Sequence, residues 1–247
     1  MKKKILIFAN RHLGFKGIEF LIKNDYPISF VVLASDNDKH IEELVKDHSI
    51  PYNYYYKGIQ KELAKKFNSG GDWLISFWSS HIIISELINR FSNTLNVHPS
   101  LVPLNQGNDC AAWTIRDQTI AGVTIMTINQ YVDKGDIYCS QELRYSFPIN
   151  GKNLYDALLD QCVDFFQEKW SDIYSEKIKP KRQDGFFSYH TRADTNNDRC
   201  KKISEVMSLD ETIHWILAHD FYPSTTAEII KNGKKYRLRI LVEEIKY

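Results

Sequence analysis

Residues 4–9 read Lys-Ile-Leu-Ile-Phe-Ala, an apolar run that ends at the polar residue Asn10. A short run without alternation of polar and apolar residues is typical of a strand buried on both faces. Strands of that kind belong to parallel sheets whose two faces are covered by helices. Comparable runs recur at residues 28–33 and 72–77. The first third of the chain therefore predicts a buried, parallel sheet.

Helical patterns separate these runs. Further strands are predicted at residues 51–56 and 95–97, and helices at residues 17–22, 36–48, 62–67 and 83–91. The regular alternation predicts an α/β fold, with an open, mostly parallel, twisted sheet and flanking helices. Ligands bind beyond the carboxyl ends of the strands in such sheets. We therefore expect the site in the loops near Asn10, residues 78–81 and residues 96–107.

The alternation stops after this region. Two strands are predicted at residues 121–128 and 137–143, a long amphipathic helix at 153–173, a polar connector at 179–198 and a capped helix from Ser208. A hairpin is predicted from residues 227–231 and 236–242 around the Asn232-Gly233 turn. The sequence thus predicts a main domain at residues 1–178 and a small C-terminal subdomain at residues 179–247.

Composition excludes several classes of function. The 247 residues are 43% hydrophobic, too apolar for a disordered chain. Thirty-two basic and 31 acidic residues leave a net charge of +1. Nucleic-acid binders usually carry a strong basic excess, so we expect no nucleic-acid partner. No stretch approaches the roughly 20 apolar residues of a membrane span, and no signal-peptide pattern is present. We therefore expect a cytoplasmic protein without a membrane partner.

The four cysteines stand far apart, without a Cys-x-x-Cys pair. They are expected to be reduced thiols, and no spacing suggests a metal site.

The segment most informative about chemistry is residues 96–103, Asn-Val-His-Pro-Ser-Leu-Val-Pro. Asn96 and His98 are two residues apart at a strand end, so both side chains face one side. Pro99 and Pro103 stiffen the exit loop. A lone histidine is more often structural, but the neighbouring amide and the strand end favour a functional role. A second segment, Gly122-Val123-Thr124, leads to Asp133-Lys134-Gly135.

Together, these segments resemble the formyltransferases that use 10-formyltetrahydrofolate. The family pattern has Asn-x-His-Pro-Ser-Leu-x-Pro, then a glycine, Gly-x-Thr and Asp-x-Gly, and all are present in order over the first two-thirds of the chain. The resemblance implies a catalytic trio of Asn96, His98 and Asp133. Met126 stands where some members carry histidine and others methionine.

These residue types suit formyl transfer, in which a neutral amine attacks a formyl carbon. Asn96 and His98 can donate hydrogen bonds to the oxygen on which negative charge develops. Asp133 can orient His98 or a water and take the amine proton, directly or in relay. The sequence leaves open whether His98 or Asp133 accepts that proton.

The resemblance also implies a pterin pocket built largely from backbone. The matching loops here are residues 79–83 and 129–132, and the predicted folate contacts are Ser80, His81, Ile82, Gln130 and Val132. Trp78 is interpreted as a core residue.

Three classes of formyl acceptor are known within the family: glycinamide ribonucleotide, methionyl-tRNA and amino sugars linked to a nucleotide. Glycinamide-ribonucleotide enzymes are shorter, and methionyl-tRNA enzymes end in a separate β-barrel. Loop 104–109 carries no cation for tRNA. The C-terminal part of the chain is similar to that of N-formyltransferases acting on dTDP-linked amino-dideoxy sugars. The similar features are Tyr189-His190-x-Arg192, Phe221-Tyr222-Pro223 and the hairpin. That similarity favours a sugar nucleotide, in bacterial surface polysaccharide (O-antigen, lipopolysaccharide) synthesis. A catalytically silent binding module is the non-enzyme alternative, and the position of the acceptor amine, C-3 or C-4, stays open.

The predicted substrate contacts are Asn105, Gly107, Arg192 and Tyr222. Phe221 or Tyr222 is expected to stack on the base, and Arg192 or Lys201 to meet phosphate. The apolar face of a lone hairpin must rest either on the body of the domain or on a second copy of the chain. A twofold contact is the common solution among soluble proteins, and the resemblance also implies a dimer, so a homodimer is expected.

Overall fold

The structure is a computed structural model that describes residues 4–35, 37–202 and 204–245. The elements follow in this order: β1 Ile5–Ala9, α1 Arg11–Lys23, β2 Ile28–Leu33, α2 Lys39–Asp47, β3 Tyr52–Tyr54, α3 Ile59–Lys66, β4 Gly71–Phe77, α4 Ser85–Ile88, β5 Phe91–His98, β6 Gln106–Gly107, α5 Cys110–Arg116, β7 Ala121–Met126, β8 Ile137–Leu143, α6 Gly151–Tyr174, β9 Tyr189–His190, α7 Arg192–Arg199, β10 Cys200–Lys202, α8 Leu209–His219, β11 Ala227–Lys231 and β12 Lys234–Leu238.

A seven-stranded sheet has the order β3-β2-β1-β4-β5-β7-β8. The first five strands in that order run parallel, and β7 pairs antiparallel with β5. Every residue of β1 is buried, as expected for a strand covered on both faces. The predicted α/β fold with a mostly parallel sheet is confirmed.

Several predicted boundaries are wrong. The helix predicted at residues 17–22 is α1, Arg11–Lys23, and the strand predicted at residues 236–242 is β12, Lys234–Leu238. The helix predicted at residues 83–91 is a single turn, α4, and Phe91 already begins β5. Phe91 lies in the sheet because a glycine at the start of β4, Gly71, leaves room for its ring. The helix predicted from residue 36 begins at Lys39, and Asp36 lies outside the described residues.

The chain divides into two compact units. The first comprises Met1–His98, Thr124–Ser140 and Cys162–Gln183, and the second Pro99–Val123, Gln141–Gln161 and Asp184–Tyr247. The predicted division into domains 1–178 and 179–247 stays a prediction.

Both faces of the sheet in the first unit carry apolar layers. One face holds a cluster of buried residues from the strands, α3 and α4, including Leu6, Leu63 and Leu87. Aromatic rings of α6 also pack against the sheet. The ring centroids of Trp170 in α6 and Trp73 in β4 are 5.0 Å apart. The stripe predicted for α6 is buried throughout: Leu154, Leu158, Cys162, Phe165, Phe166 and Trp170.

In the second unit, the segment predicted as a connector is partly regular. It contains β9 and the polar helix α7, whose start is fixed by a capping box between Thr191 and Asp194. Trp113 Nε1 donates to Thr195 Oγ1 at 3.0 Å, which holds this helix against α5. Since these contacts come from distant residues and α7 has no apolar stripe, periodicity alone could not reveal it.

One half-buried carboxylate, that of Asp198, forms ion pairs with three basic side chains in the same unit. Asp198 lies 3.1 Å from Arg116 Nε, 3.1 Å from Lys201 Nζ and 2.8 Å from His219 Nε2. We refer to these four residues as the Asp198 cluster. It joins α5, α7, the strand β10 and α8.

The predicted hairpin is present as β11 and β12. Asn232 and Gly233 adopt positive φ angles of 50° and 72°, as the two-residue turn requires. Leu238 and Ile240 pack on a cluster that contains Trp215 of α8. Of the two expected partners for this face, the structure thus shows the body of the chain, through α8. The homodimer stays a prediction.

Candidate active site

Two polar side chains stand at the end of β5, within the first unit. In the antiparallel register, Asn96 pairs with Met126 and His98 with Thr124 of β7. His98 is only 7% exposed, although it ends a strand. Residues two apart on a strand project to the same face, so the amide and the imidazole point to one side of the sheet.

Asp133 approaches this pair from the loop between β7 and β8. Its Oδ1 lies 3.6 Å from His98 Nδ1, and the two side chains are 11% and 9% exposed. Asp133 adopts a left-handed backbone, with φ of 52°. Such a conformation is uncommon for a residue other than glycine and concentrates at functional sites. The structure thus brings together two residues that are 35 positions apart in sequence.

The Asp133 loop is closed on itself by hydrogen bonds. Thr127 N donates to the Asp136 carbonyl, and Asp136 N donates to Thr127 Oγ1, each at 2.8 Å. Gly135 lies so close to Thr127 that a methyl group there would collide with the Thr127 carbonyl. Asn129 Nδ2 donates to the Lys134 carbonyl at 2.6 Å. The loop is therefore built to hold one conformation rather than to move freely.

A glutamine that sequence reasoning missed supports the same loop. Gln183 Nε2 donates to the carbonyls of Asp133 and Gly135, at 2.8 and 2.7 Å. Gln183 stands in the segment interpreted as a connector, where no local pattern distinguishes it.

The Asn96 amide is available to a ligand. Across residues 4–35, 37–202 and 204–245, its side chain has no hydrogen-bond partner in the protein. A half-buried amide at a strand end whose hydrogens are not bonded to the described residues can donate to a substrate oxygen.

The first predicted folate loop is ordered around His81. The His81 ring stacks on Tyr55, with centroids 3.4 Å apart, and its Nε2 lies 3.3 Å from the Ala34 carbonyl. Gln60, also missed from the sequence, donates to the Ile82 carbonyl at 2.9 Å and accepts from Ile84 N at 2.8 Å. These contacts fix the loop backbone and leave Ile82 69% exposed.

The neighbouring residues of this loop differ in exposure. Ser80 is exposed. Trp78 is half-buried with φ of 61°, so its interpretation as a core residue is wrong.

The second predicted folate loop is exposed as well. Gln130 lies at the surface, and Val132 is 37% exposed. Tyr131 N donates to Asn129 Oδ1 at 2.8 Å, which forms a local turn. Folate contacts of Ser80, His81, Ile82, Gln130 and Val132 stay predictions.

Two of the predicted substrate residues lie in the second unit as parts of its framework. Asn105 is 1% exposed, and its Nδ2 donates to Thr114 Oγ1 at 3.0 Å and Thr119 Oγ1 at 2.9 Å. Gly107 lies against the His190 carbonyl, where a methyl group would collide. Both amide hydrogens of Asn105 are engaged, so the structure gives this side chain a structural role, and its contact with substrate stays a prediction.

Arg192 and Tyr222 are exposed in the same unit. Arg192 forms an ion pair with Asp109. Tyr222 is 52% exposed, and the Arg239 guanidinium lies 4.4 Å from its ring centroid. Phe221, the other candidate for stacking, instead packs edge-on against Tyr155.

Among the described residues, no helix combines the length and apolarity needed to cross a membrane. In the same part of the chain, no group of three or more His, Cys, Asp or Glu residues is arranged to hold a metal ion.

Comparison with known proteins identifies the family. Residues 2–166 match the family described as formyl transferase, about two-thirds of the chain. The chain belongs to the formyl transferase family, which confirms the resemblance carried by the motifs around Asn96, His98 and Asp133.

Individual relatives are more distant. A methionyl-tRNA formyltransferase of Streptococcus thermophilus is 24% identical over 200 residues, with 80% of this chain and 63% of that protein covered. The chain thus spans less than two-thirds of that relative's length.

Two solved structures share the fold over most of the chain. A 4-N formyltransferase from Francisella tularensis has a TM-score of 0.85 at 20% identity, with 99% of each chain covered. An N-formyltransferase from Helicobacter canadensis, solved with folinic acid and dTDP-3-aminofucose, has a TM-score of 0.70 at 18% identity, with 88% of this chain and 80% of that chain covered.

Proposed function

We propose that this protein transfers a formyl group from 10-formyltetrahydrofolate to the amino group of a dTDP-linked amino-dideoxy sugar. The observation that carries the proposal is the Asp133 carboxylate 3.6 Å from His98, together with an Asn96 amide that has no hydrogen-bond partner among the residues the structure describes. These three groups are what formyl transfer to an amine needs: donors for the formyl oxygen and an acceptor for the amine proton.

When bound, 10-formyltetrahydrofolate supplies the formyl carbon that the amine attacks. Asn96 donates through its amide to the formyl oxygen as negative charge develops there, and His98 donates a second bond. Donors of this type contribute about 100- to 1,000-fold each to the rate in comparable sites. Because β5 fixes both residues in a regular register, little reorganisation is needed at the moment of reaction.

The same site handles the proton that the attacking amine must lose. The His98–Asp133 pair takes it as a unit, with Asp133 held near His98 Nδ1 by its closed loop, and the proton can then pass to N10 of tetrahydrofolate as the bond from N10 to the formyl carbon breaks. Both side chains are nine-tenths buried, and low solvent exposure strengthens their interaction.

Two loops of the first unit fit the flat pterin of a folate. Each combines a backbone fixed by internal hydrogen bonds with an exposed apolar side chain, Ile82 in one and Val132 in the other. A pterin needs backbone donors and acceptors at its edge and apolar contact on its faces. We assign Ser80, His81, Ile82, Gln130 and Val132 to this pocket.

Support for a sugar nucleotide comes from the second unit and from the structural neighbours. The Francisella tularensis 4-N formyltransferase is matched over 99% of both chains, whereas the methionyl-tRNA enzyme is matched over 63% of its length. The exposed Tyr222 offers a ring face for a base, and Arg192 a cation for a phosphate. We assign both to the nucleotide end of the substrate, with Asn105 and Gly107 as further substrate contacts. Such a product would serve bacterial surface polysaccharide, including O-antigen, synthesis in the cytoplasm.

Methionyl-tRNA is the second candidate acceptor, because the curated relatives with similar sequences include methionyl-tRNA formyltransferases. The balanced net charge of +1 is unfavourable for that substrate.

A panel assay tests the proposal. Purified protein and 10-formyltetrahydrofolate are incubated with dTDP-3-amino and dTDP-4-amino sugars, a UDP-amino sugar, glycinamide ribonucleotide and methionyl-tRNA, and formylated product is measured by mass spectrometry. We expect product from at least one dTDP-amino sugar, and none with His98→Asn. Product from methionyl-tRNA alone would show that methionyl-tRNA, and not an amino sugar, is the acceptor. Binding of sugar nucleotide and folate without product would identify a silent module.

The homodimer implied by the resemblance is part of the proposal. Light scattering after gel filtration would then give about twice the chain mass of 28.9 kDa. A mass near 28.9 kDa would contradict it.

A further inference from the structure

One side-chain amide spans two carbonyls of the Asp133 loop. Gln183 Nε2 is 2.8 Å from the Asp133 carbonyl and 2.7 Å from the Gly135 carbonyl. A glutamine amide nitrogen carries two hydrogens, so each carbonyl can receive one. The two carbonyls belong to the Asp133–Lys134 and Gly135–Asp136 peptide planes. One side chain thereby fixes the orientation of both planes.

Each of these peptide planes makes one hydrogen bond within the loop: Lys134 N donates to the Tyr131 carbonyl at 3.5 Å, and Asp136 N donates to Thr127 Oγ1 at 2.8 Å. Gln183 adds a donor to the carbonyl side of each plane. Asp133 has a left-handed φ of 52°, which is unfavourable for a residue with a side chain. Gly135 is pressed against Thr127 and leaves no room for adjustment on that side. A donor from outside the loop is therefore well placed to keep Asp133 in its observed conformation.

Gln183 also adjoins the strand pair that carries the other two site residues. Its Nε2 lies 4.0 Å from the sulfur of Met126, and Met126 is the register partner of Asn96. The residue thus lies where β7 leaves the sheet and the Asp133 loop begins. Because Gln183 contacts both Met126 and the Asp133 loop, it links the position of the loop to the strand β5 that pairs with Met126.

We propose that Gln183 is a positioning residue that holds the Asp133 carboxylate against His98. Gln183 acts through the backbone of the loop and does not touch the reacting groups. The proposal rests on the formyl transfer proposed above and goes beyond it by assigning a role to a residue in the segment after α6.

The chemistry of the side chain makes the proposal specific. Leucine has similar size but no donor, so Gln183→Leu removes both hydrogen bonds. Glutamate has the same length, but its ionised carboxylate only accepts hydrogen bonds and would face two carbonyl oxygens. When protonated, the acid has one O–H that can donate to one of them.

Steady-state kinetics of Gln183→Leu test the role, with the acceptor found in the panel assay. We expect kcat to fall by about tenfold or more, since displacement of a reacting group by about 1 Å can cost 100-fold. The KM for the sugar nucleotide should stay within about twofold, because Gln183 does not bind it and none of the residues assigned to the nucleotide end lies in this loop. A kcat within about twofold of wild type would overturn the proposal.

Gln161→Leu is the matched control. Gln161 Nε2 likewise donates to a backbone carbonyl, that of Glu142, at 3.0 Å. This glutamine lies outside the site, so its variant should keep the wild-type kcat. An equal loss of kcat in both variants would show a general effect of lost glutamine bonds and would overturn the proposal.

The pH dependence of Gln183→Glu separates positioning from a general effect on folding. The ratio of its kcat to that of Gln183→Leu should rise as the pH falls and the introduced carboxyl becomes a donor. A ratio that stays constant from pH 8 to about pH 5 would contradict the role.

Hydrogen–deuterium exchange gives a readout that needs no substrate. Amides of residues 127–136 should exchange faster in Gln183→Leu than in wild type, whereas Gln161→Leu should leave them unchanged. Unchanged exchange in Gln183→Leu would overturn the positioning role even if wild type formylates a sugar nucleotide. Faster exchange with no formyl transfer to any acceptor would support the role and reject the proposed function.

Discussion

Replacing Tyr222 by alanine tests the nucleotide end of the proposed substrate site. The ring is 52% exposed, and Arg239 occupies one face at 4.4 Å. Arg239 is itself held by Asp220, with Nε 3.0 Å from Oδ1. The opposite face of the ring is therefore the one available to a base, and stacking on it is worth about 1–3 kcal/mol.

This energy converts into a measurable change in KM. A loss of 1–3 kcal/mol weakens binding by roughly 5- to 150-fold, since about 1.4 kcal/mol corresponds to tenfold. We expect Tyr222→Ala to raise the KM for the sugar nucleotide by about tenfold or more, with the KM for folate nearly unchanged. The fold should persist because half of this side chain already faces solvent and the ion pair of Arg239 with Asp220 remains.

Steady-state kinetics with each substrate varied in turn provides the assay. Tyr236→Ala is the matched control, because Tyr236 lies in the same unit with 47% exposure and no assigned contact to substrate. Tyr222→Phe keeps the ring and should keep the affinity. A normal KM for the sugar nucleotide in Tyr222→Ala, or an equal loss for both substrates, would refute the stacking role.

Two further predictions concern stability and loop geometry. Burial alone would raise the pKa of Asp198, but the hydrogen bonds and charges of its cluster hold the pKa well below its usual range. Asp198→Asn should therefore lower the free energy of unfolding at pH 7 by about 3 kcal/mol. The stabilisation by the carboxylate is fully present above its unfolded pKa of about 4 and is lost as the pH falls below that value. In urea unfolding, the difference in free energy of unfolding between wild type and Asp198→Asn should therefore shrink towards pH 3. A difference that stays constant with pH would contradict this. Gly135→Ala should reduce kcat by about tenfold or more through displacement of Asp133, and a fully active variant would show that the loop tolerates the shift.

The sheet could be predicted because its information is local. Strands β1, β2 and β4 are nearly continuous apolar runs, and such runs are produced by burial on both faces. The capping box at Ser208 and the Asn232-Gly233 turn are also local signals, and both are present. Each of these features depends on residues within a few positions of one another.

Features that depend on distant contacts were not predictable in the same way. The helix α7 has a polar sequence and is held by Trp113 and by the Asp198 cluster. Gln60 and Gln183 act on backbone groups 22 or more positions away. No periodicity or spacing in a single sequence reports such pairings. The motif of Asn96, His98 and Asp133 was recognisable only because a family pattern carries that long-range information.

The most direct test of the central claim is the single-turnover rate of formyl transfer in His98→Asn and Asp133→Asn, compared with wild type. Circular dichroism and melting temperature establish that each variant keeps the fold. The account predicts that each variant loses at least roughly 100-fold in rate, because both side chains act in the transition state. A folded variant of either residue that transfers formyl at the wild-type rate would contradict it.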